Sequence, residues 1–263
     1  MTPRSPGRPV PPWPGSPGHP PVTLLSMTAP AYRRLSVDQR RAQLISTALG
    51  LFAQRPPEEI TLDDVAAAAG VSRPLVYRYF PGGKQQLYEA ALRNAADALE
   101  SCFDEPHTGP LTERLLRVLD RYLAFVEQHD AGFTALLAGG SVAETTRTSA
   151  IVDEVRRTAA DVILGHLEIA EPRTPLRMAV RTWISAVEAA SLIWLDEGRE
   201  PPREELRDLL VDQFVGQLMV AASRDEQVAG VVEMAVARER PEGPVGELFR
   251  RLVPVMGVGS TLL

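Results

Sequence analysis

From Ser36 onward, apolar residues return every three or four positions and almost never alternate. In the first such run Val37, Leu44, Ile45, Ala48, Leu49 and Phe52, with the stem of Arg41, mark one face of a helix. Ser36, followed three residues later by Gln39, makes a capping-box start, and Pro56-Pro57 cannot continue the helix. A second helix is expected from a Thr61 cap to Ala69, and a third from Ser72 to about Phe80. After the Pro81-Gly82-Gly83 break, a fourth runs from Lys84 to about Phe103, with Tyr88, Ala91, Leu92, Ala95, Leu99 and Cys102 on its buried stripe. The same period predicts helices over 111–129, 131–138, 142–169, 174–197 and 202–223. Val228, Val231, Val232 and Ala235 suggest one more, and Pro241 to Pro244 open a tail whose role the pattern leaves unassigned.

The expected fold is therefore all-α. An N-terminal three-helix domain, residues 36–98, is joined by the fourth helix to a larger helical domain at 105–225, with 226–263 as an extension of uncertain role. Ahead of these, residues 1–30 contain ten prolines and much Gly and Ser. Such a segment buries too little apolar surface to offset its ordering entropy, so a disordered tail is expected. Met27 stands near its end, and a start of translation there would leave only a short arm, 28–35, ahead of the fold.

Charge changes the picture more than composition does. The net charge is −6 and the pI about 5.4, unpromising for a chain that meets nucleic acid. Between Ala31 and Asn94, however, nine basic residues stand against six acids, a net of +3, and the first thirty residues add +2. Residues 95–263 therefore carry −11, so positive charge is concentrated where phosphate would be met.

Within 61–80, TLDDVAAAAGVSRPLVYRYF has the parts of a helix-turn-helix. Ala66 is small where two helices cross, and Gly70 can take the left-handed conformation that ends the first of them. Val71 plugs the corner, Ser72 is positioned as a cap, and Pro74 lies in the first turn, where its missing N–H is not needed. With Val65, Ala69, Val71, Val76 and Phe80 facing the core, Arg73, Leu75, Tyr77, Arg78 and Tyr79 are left outward. Such a surface is costly unless something covers it, and a duplex groove covers it well.

The run from Ser36 to Leu92, above all GVSRPLVYRYFPGGKQQLYEAAL, resembles the N-terminal domain of the TetR (tetracycline-repressor-like) family. The likeness spans about sixty residues at one spacing, through the small-residue second helix, Gly-Val-Ser, Tyr77, the pair Tyr79-Phe80 and Lys84. It implies a homodimer on a palindromic double-stranded DNA operator, most often a repressor released by a small-molecule effector. Arg73, Pro74, Leu75 and Tyr77 would then face bases, while Thr61, Tyr79 and Lys84 would hold phosphates. Leu75 departs from the small or hydroxyl residue common there in the family and would favour a thymine methyl. Lys84 is the only lysine in the chain, consistent with a compact ammonium placed beside a phosphate at a helix N-terminus. Arg33 and Arg34 precede the first cap and could reach a minor groove.

In the acidic domain Phe125, Phe133, Val155, Ala159, Trp183 and Val187 are candidates to line an effector pocket, with Arg181, Glu188 or His129 as polar members. For the dimer interface Ala186, Ala190, Leu210, Phe214 and Leu218, on the last two long helices, are expected. No enzyme, metal or cofactor is expected. Pro81-Gly82-Gly83-Lys84-Gln85 lacks the first glycine and the Ser or Thr of a phosphate loop, and Cys102 lies on a buried stripe. The four histidines form no i,i+4 pair. One cysteine allows no internal disulfide, and no window approaches eighteen uninterrupted apolar residues; a cytoplasmic protein without a membrane partner is expected. Two other readings remain at this point: an architectural DNA binder without effector, and a helical protein-interaction module.

Overall fold

The computed structural model describes residues 35–137 and 146–259, with side chains of 132, 135–137 and 255–259 left aside. Arg33, Arg34, Met27 and the Pro-rich tail lie outside the described residues. Those described form helices α1 (Val37–Phe52), α2 (Leu62–Ala68), α3 (Arg73–Tyr79), α4 (Gly83–Ser101), α5 (Leu111–Gln128), α6 (Asp130–Leu137), α7 (Thr146–His166), α8 (Thr174–Asp196), α9 (Arg203–Ala222), α10 (Glu226–Arg238) and α11 (Pro244–Gly259). A short 3-10 turn, Pro57–Glu59, precedes α2, and no strand occurs among the described residues.

Local chemistry accounts for the first boundaries. Ser36 closes the expected capping box on α1, its hydroxyl accepting from Gln39 N at 3.1 Å while the Gln39 side chain accepts from Ser36 N at 3.0 Å. Thr61 does the same for α2 through Asp64. Gly70 ends α2 in the left-handed region, at φ +65°, with Val71 N donating to Ala66 O at 2.9 Å and Gly70 N to Ala67 O at 3.1 Å. This is a Schellman closure, and it turns the chain sharply into α3. Ser72 occupies the N-cap position of α3, but its hydroxyl makes no capping bond.

Two apolar cores result. The first joins α1 to α4 around Leu44, Ala48, Ile60, Val65, Val76, Phe80 and Leu87. The second joins α5 to α10 and includes Leu123, Val126, Leu176, Trp183, Leu210 and Phe214. Val37, expected on the inward face of α1, is exposed, next to the Ser36 cap at the start of the helix. The extension after Asp225 is structured: α10 packs on α9 and α8, and α11 on α9 and α5. Asp225 caps α10 by accepting from Val228 N at 3.1 Å.

By length and mean hydropathy α8 would pass for a membrane span. Its apolarity has a different use in the fold. One face carries Leu176, Val180, Trp183, Val187 and Trp194 into the core, and the other leaves Met178 and Ile193 open.

Candidate nucleic-acid interface and effector cavity

α3 gives a single residue, Val76, fully to its own core, and Phe80 just beyond it is also completely buried. Those two anchors fix the helix rotation. Replacing a buried Phe by Ala costs about 3–5 kcal/mol, so the rotation is firmly held. Arg73, Pro74, Tyr77 and Arg78 are left exposed, while Leu75 and Tyr79 are half-buried at the flanks. The four expected base-facing residues thus share the outer side of α3, with Leu75 the least accessible. Tyr77 lies close over Gly83, to which an added Cβ would come within 3.9 Å of its ring. The Arg73 guanidinium sits 5.6 Å from the Tyr77 ring centroid and 3.1 Å from Asp63 on α2.

The expected phosphate contacts differ in their freedom. Lys84, in the first turn of α4, donates from Nζ to the Glu58 carbonyl at 2.9 Å. An ammonium has three donors, so two remain. Thr61 is more committed: its hydroxyl donates to Asp64 Oδ2 at 2.7 Å and accepts from Asp64 N at 3.1 Å. The hydroxyl hydrogen that would meet a phosphate is already given to Asp64. Those bonds also hold the Asp64 carboxyl below its ordinary value, with the Thr61 side-chain bond the largest cause.

A second site lies behind the first. A cavity of about 260 Å³ opens between the helices, and Phe125, Phe133, Val155, Ala159, Trp183 and Val187 all line it. Of the polar candidates, His129 and Glu188 are on its wall, whereas Arg181 is exposed and stands outside. Sequence reading missed its reach in two directions. Leu49, Phe52 and Tyr88 bring it into the α1–α4 domain, and Val232, Val236, Val245 and Phe249 bring it under α10 and α11. No periodicity couples residues that far apart. Phe52 and Tyr88 meet edge to face at 5.3 Å, and burial first, then Glu58, pushes the Tyr88 phenol up to about 12.

Beneath the cavity the linker between α4 and α5 is pinned by Glu105. Its carboxylate, almost fully buried, accepts from Arg117 at 2.6 Å and from Arg121 at 2.9 Å.

The expected dimer face needs correction. Leu210, Phe214 and Leu218 are buried within the protomer and cannot meet a partner; they pack on α8 and α5 in the second core. Ala186 is exposed and Ala190 half-buried. The open apolar residues on these helices are instead Met178 (60% exposed), Ile193 (63%), Leu209 (50%) and Val220 (66%).

Comparison with known proteins agrees with this architecture. Residues 44–91 match the model for bacterial regulatory proteins of the tetR family, and residues 111–217 the model for the tetracyclin repressor-like C-terminal domain; neither reaches α10 or α11. A TetR-family transcriptional regulator from Streptomyces coelicolor, known by crystal structure, is 48% identical, with a TM-score of 0.81 over 85% of this chain and 100% of that one. The transcriptional activator FasR of Mycolicibacterium smegmatis is 31% identical over 42% of this chain and 51% of its own length. The regulator EthR of Mycobacterium tuberculosis is 40% identical over 28% of this chain and 35% of its own. The chain thus spans about half, or less, of the curated relatives it matches. With both family regions in register and a solved relative matched along its whole length, the chain belongs to the TetR family of transcriptional regulators.

Proposed function

We propose that this chain is a cytoplasmic, homodimeric DNA-binding transcription regulator, without catalytic activity, that leaves a palindromic operator when a small molecule fills its cavity. The observation that carries the reading is the division of labour on α3. Val76 is buried completely, while Arg73, Pro74 and Tyr77 stand exposed, with Tyr77 next to Gly83 at the start of α4. Arg73 supplies a bidentate fork for a guanine edge, Tyr77 and Leu75 apolar contact, and Tyr79, Lys84 and the Thr61 end of α2 the phosphate rail.

A second copy covers the open faces of α8 and α9. The exposed Met178, Ile193, Leu209 and Val220, with Ala186 among them, are self-complementary in kind, as an isologous interface requires. Two copies of α3 then read half-sites about 34–36 Å apart, or a multiple of that.

Repression relieved by the effector is favoured because one cavity wall is made by Leu49, Phe52 and Tyr88, residues of the α1–α4 domain itself. A ligand there touches α1 and α4 directly, so any rearrangement of these helices changes its contacts, which is what a population shift requires. The reading is tested by selecting bound sites from random duplexes and titrating the selected operator by fluorescence anisotropy across salt. The log–log slope should be about −0.9 per phosphate neutralised, with a clear preference for the selected site. A flat slope would indicate an interaction module instead. A steep slope without site preference would indicate an architectural binder.

A further inference from the structure

We propose that the C-terminal pair α10–α11 is the specificity wall of the effector cavity, and that the molecule it selects is slender, apolar along its length and uncharged at its polar end, such as a medium-chain alcohol, ester or amide. This rests on the cavity being the effector site.

The two helices lie beyond both regions that match family models, yet they are fastened to the domain along their length. Arg238 pairs with Glu168 at 2.7 Å, Arg240 with Glu113 at 3.5 Å, and Arg251 with Asp212. Glu239 accepts from Thr112 N at 2.9 Å and from the Thr112 hydroxyl at 2.6 Å. So held, the pair brings Val232, Ala235, Val236, Val245 and Phe249 to the lining of the cavity, which Val155 and Ala159 of α7 also line. Ala159 is the small member of the α7 lining, and Val232, Val236, Val245 and Phe249 add apolar bulk from α10–α11 that limits the extent of the space. A volume of about 260 Å³ is near the lower end for ligand pockets, which excludes bulky molecules.

The charges on the wall decide the ligand's polar end. Arg156 clamps Glu188, Nε to Oε1 at 3.0 Å and Nη2 to Oε2 at 2.9 Å. Arg114, only 5% exposed, gives Nε and Nη2 to the Gly109 carbonyl at 3.0 and 2.7 Å, and Nη1 to His166 Nδ1 at 3.2 Å. A guanidinium only donates, so His166 Nδ1 accepts and the ring is neutral. Burial, then His107 and Arg114, hold the His166 pKa below its ordinary value against the pull of Glu105. The wall therefore carries two guanidiniums, Arg114 and Arg156, and two carboxylates, Glu188 and Glu239. A carboxylate or ammonium on the ligand finds no net counter-charge to replace its lost hydration, whereas an uncharged hydrogen-bonding end loses far less.

The test is isothermal titration calorimetry of the protein with 1-decanol, decanoate and decylammonium, followed by operator anisotropy with each. Decanol should bind at least roughly tenfold more tightly than either ion. Val232→Phe should weaken decanol by a similar factor while sparing 1-hexanol, and Phe249→Ala should extend binding to longer alcohols. Equal or tighter binding of either ion overturns the charge inference. Unchanged chain-length preference in both variants overturns the wall inference. No binding of decanol overturns the proposal. If decanol binds as expected but leaves operator affinity unchanged, the inference stands and the effector reading fails.

Discussion

Arg73 and Asp63 are joined by an ion pair of 3.1 Å that ties the recognition helix α3 back to α2 in the free protein. Both side chains are more than half exposed, so the bond is weak and is not there to stabilise the fold. Its effect is positional. It keeps the guanidinium beside the Tyr77 ring, and it sets a carboxylate beside the surface where phosphates and base edges would approach.

Removing that carboxylate should loosen discrimination. Asp63→Asn is expected to raise affinity for random duplex by roughly two- to fivefold, the range of an exposed pair. The selected operator should gain less, narrowing the specificity ratio. Anisotropy on both duplexes at one salt concentration measures it, and unchanged affinity for both would show that Asp63 lies outside the DNA footprint.

The roles of Lys84 and Arg73 separate in the same assay. Lys84→Ala should weaken all sequences alike and make the salt slope shallower by about 0.9, the share of one phosphate. Arg73→Ala should cost about 1–3 kcal/mol at one base position and leave others unchanged. Identical behaviour of the two variants would contradict the division into phosphate and base contacts. Lys84 also holds the Glu58 carbonyl, so its melting temperature should be recorded alongside.

Neighbouring residues on α8 and α9 should fail in different ways. Ile193→Glu puts two like charges near a two-fold axis while disturbing no core, since Ile193 is mostly exposed. It should give a folded monomer by analytical ultracentrifugation. Leu210→Ala, fully buried, should cost about 2–5 kcal/mol of stability at the level of the protomer. A dimer that survives Ile193→Glu would move the interface elsewhere.

Glu105 gives the protein an acid sensitivity with a definite sign. Burial alone would raise its pKa, but the bonds and charges of Arg117 and Arg121 more than offset that and hold it below the ordinary 4.5. The unfolded chain then takes up the proton first, so this stability is present above about pH 4.5 and is lost as pH falls through the folded value. Glu105→Gln should cost roughly 1–2 kcal/mol at neutral pH, less than for a fully buried pair because both guanidiniums are partly exposed. Denaturation curves should show the gap between variant and parent closing as pH is lowered toward 3. A gap independent of pH would mean that packing, not charge, fastens the linker.

Much of the architecture was legible in the chain, because it is written in local chemistry. Period 3.6, the Ser36 box, Gly70 and the proline breaks act over a few residues and need no tertiary partner, so the expected helices at 111–129, 174–197 and 202–223 lie within a residue or so of α5, α8 and α9. The outward row on α3 was equally readable, since Val76 and Phe80, four positions apart, fall on one face and anchor so short a helix. What only the tertiary structure decided is which side of α8 and α9 turns inward. Both helices are apolar on two faces, so the pattern alone cannot tell the core residues Leu210, Phe214 and Leu218 from the open Leu209 and Val220. The cavity was likewise beyond local reading in extent, though not in its centre. Beyond the α5, α7 and α8 residues at its centre, further walls come from α1, α4, α10 and α11, segments that become neighbours only when the domain closes around one shared apolar space.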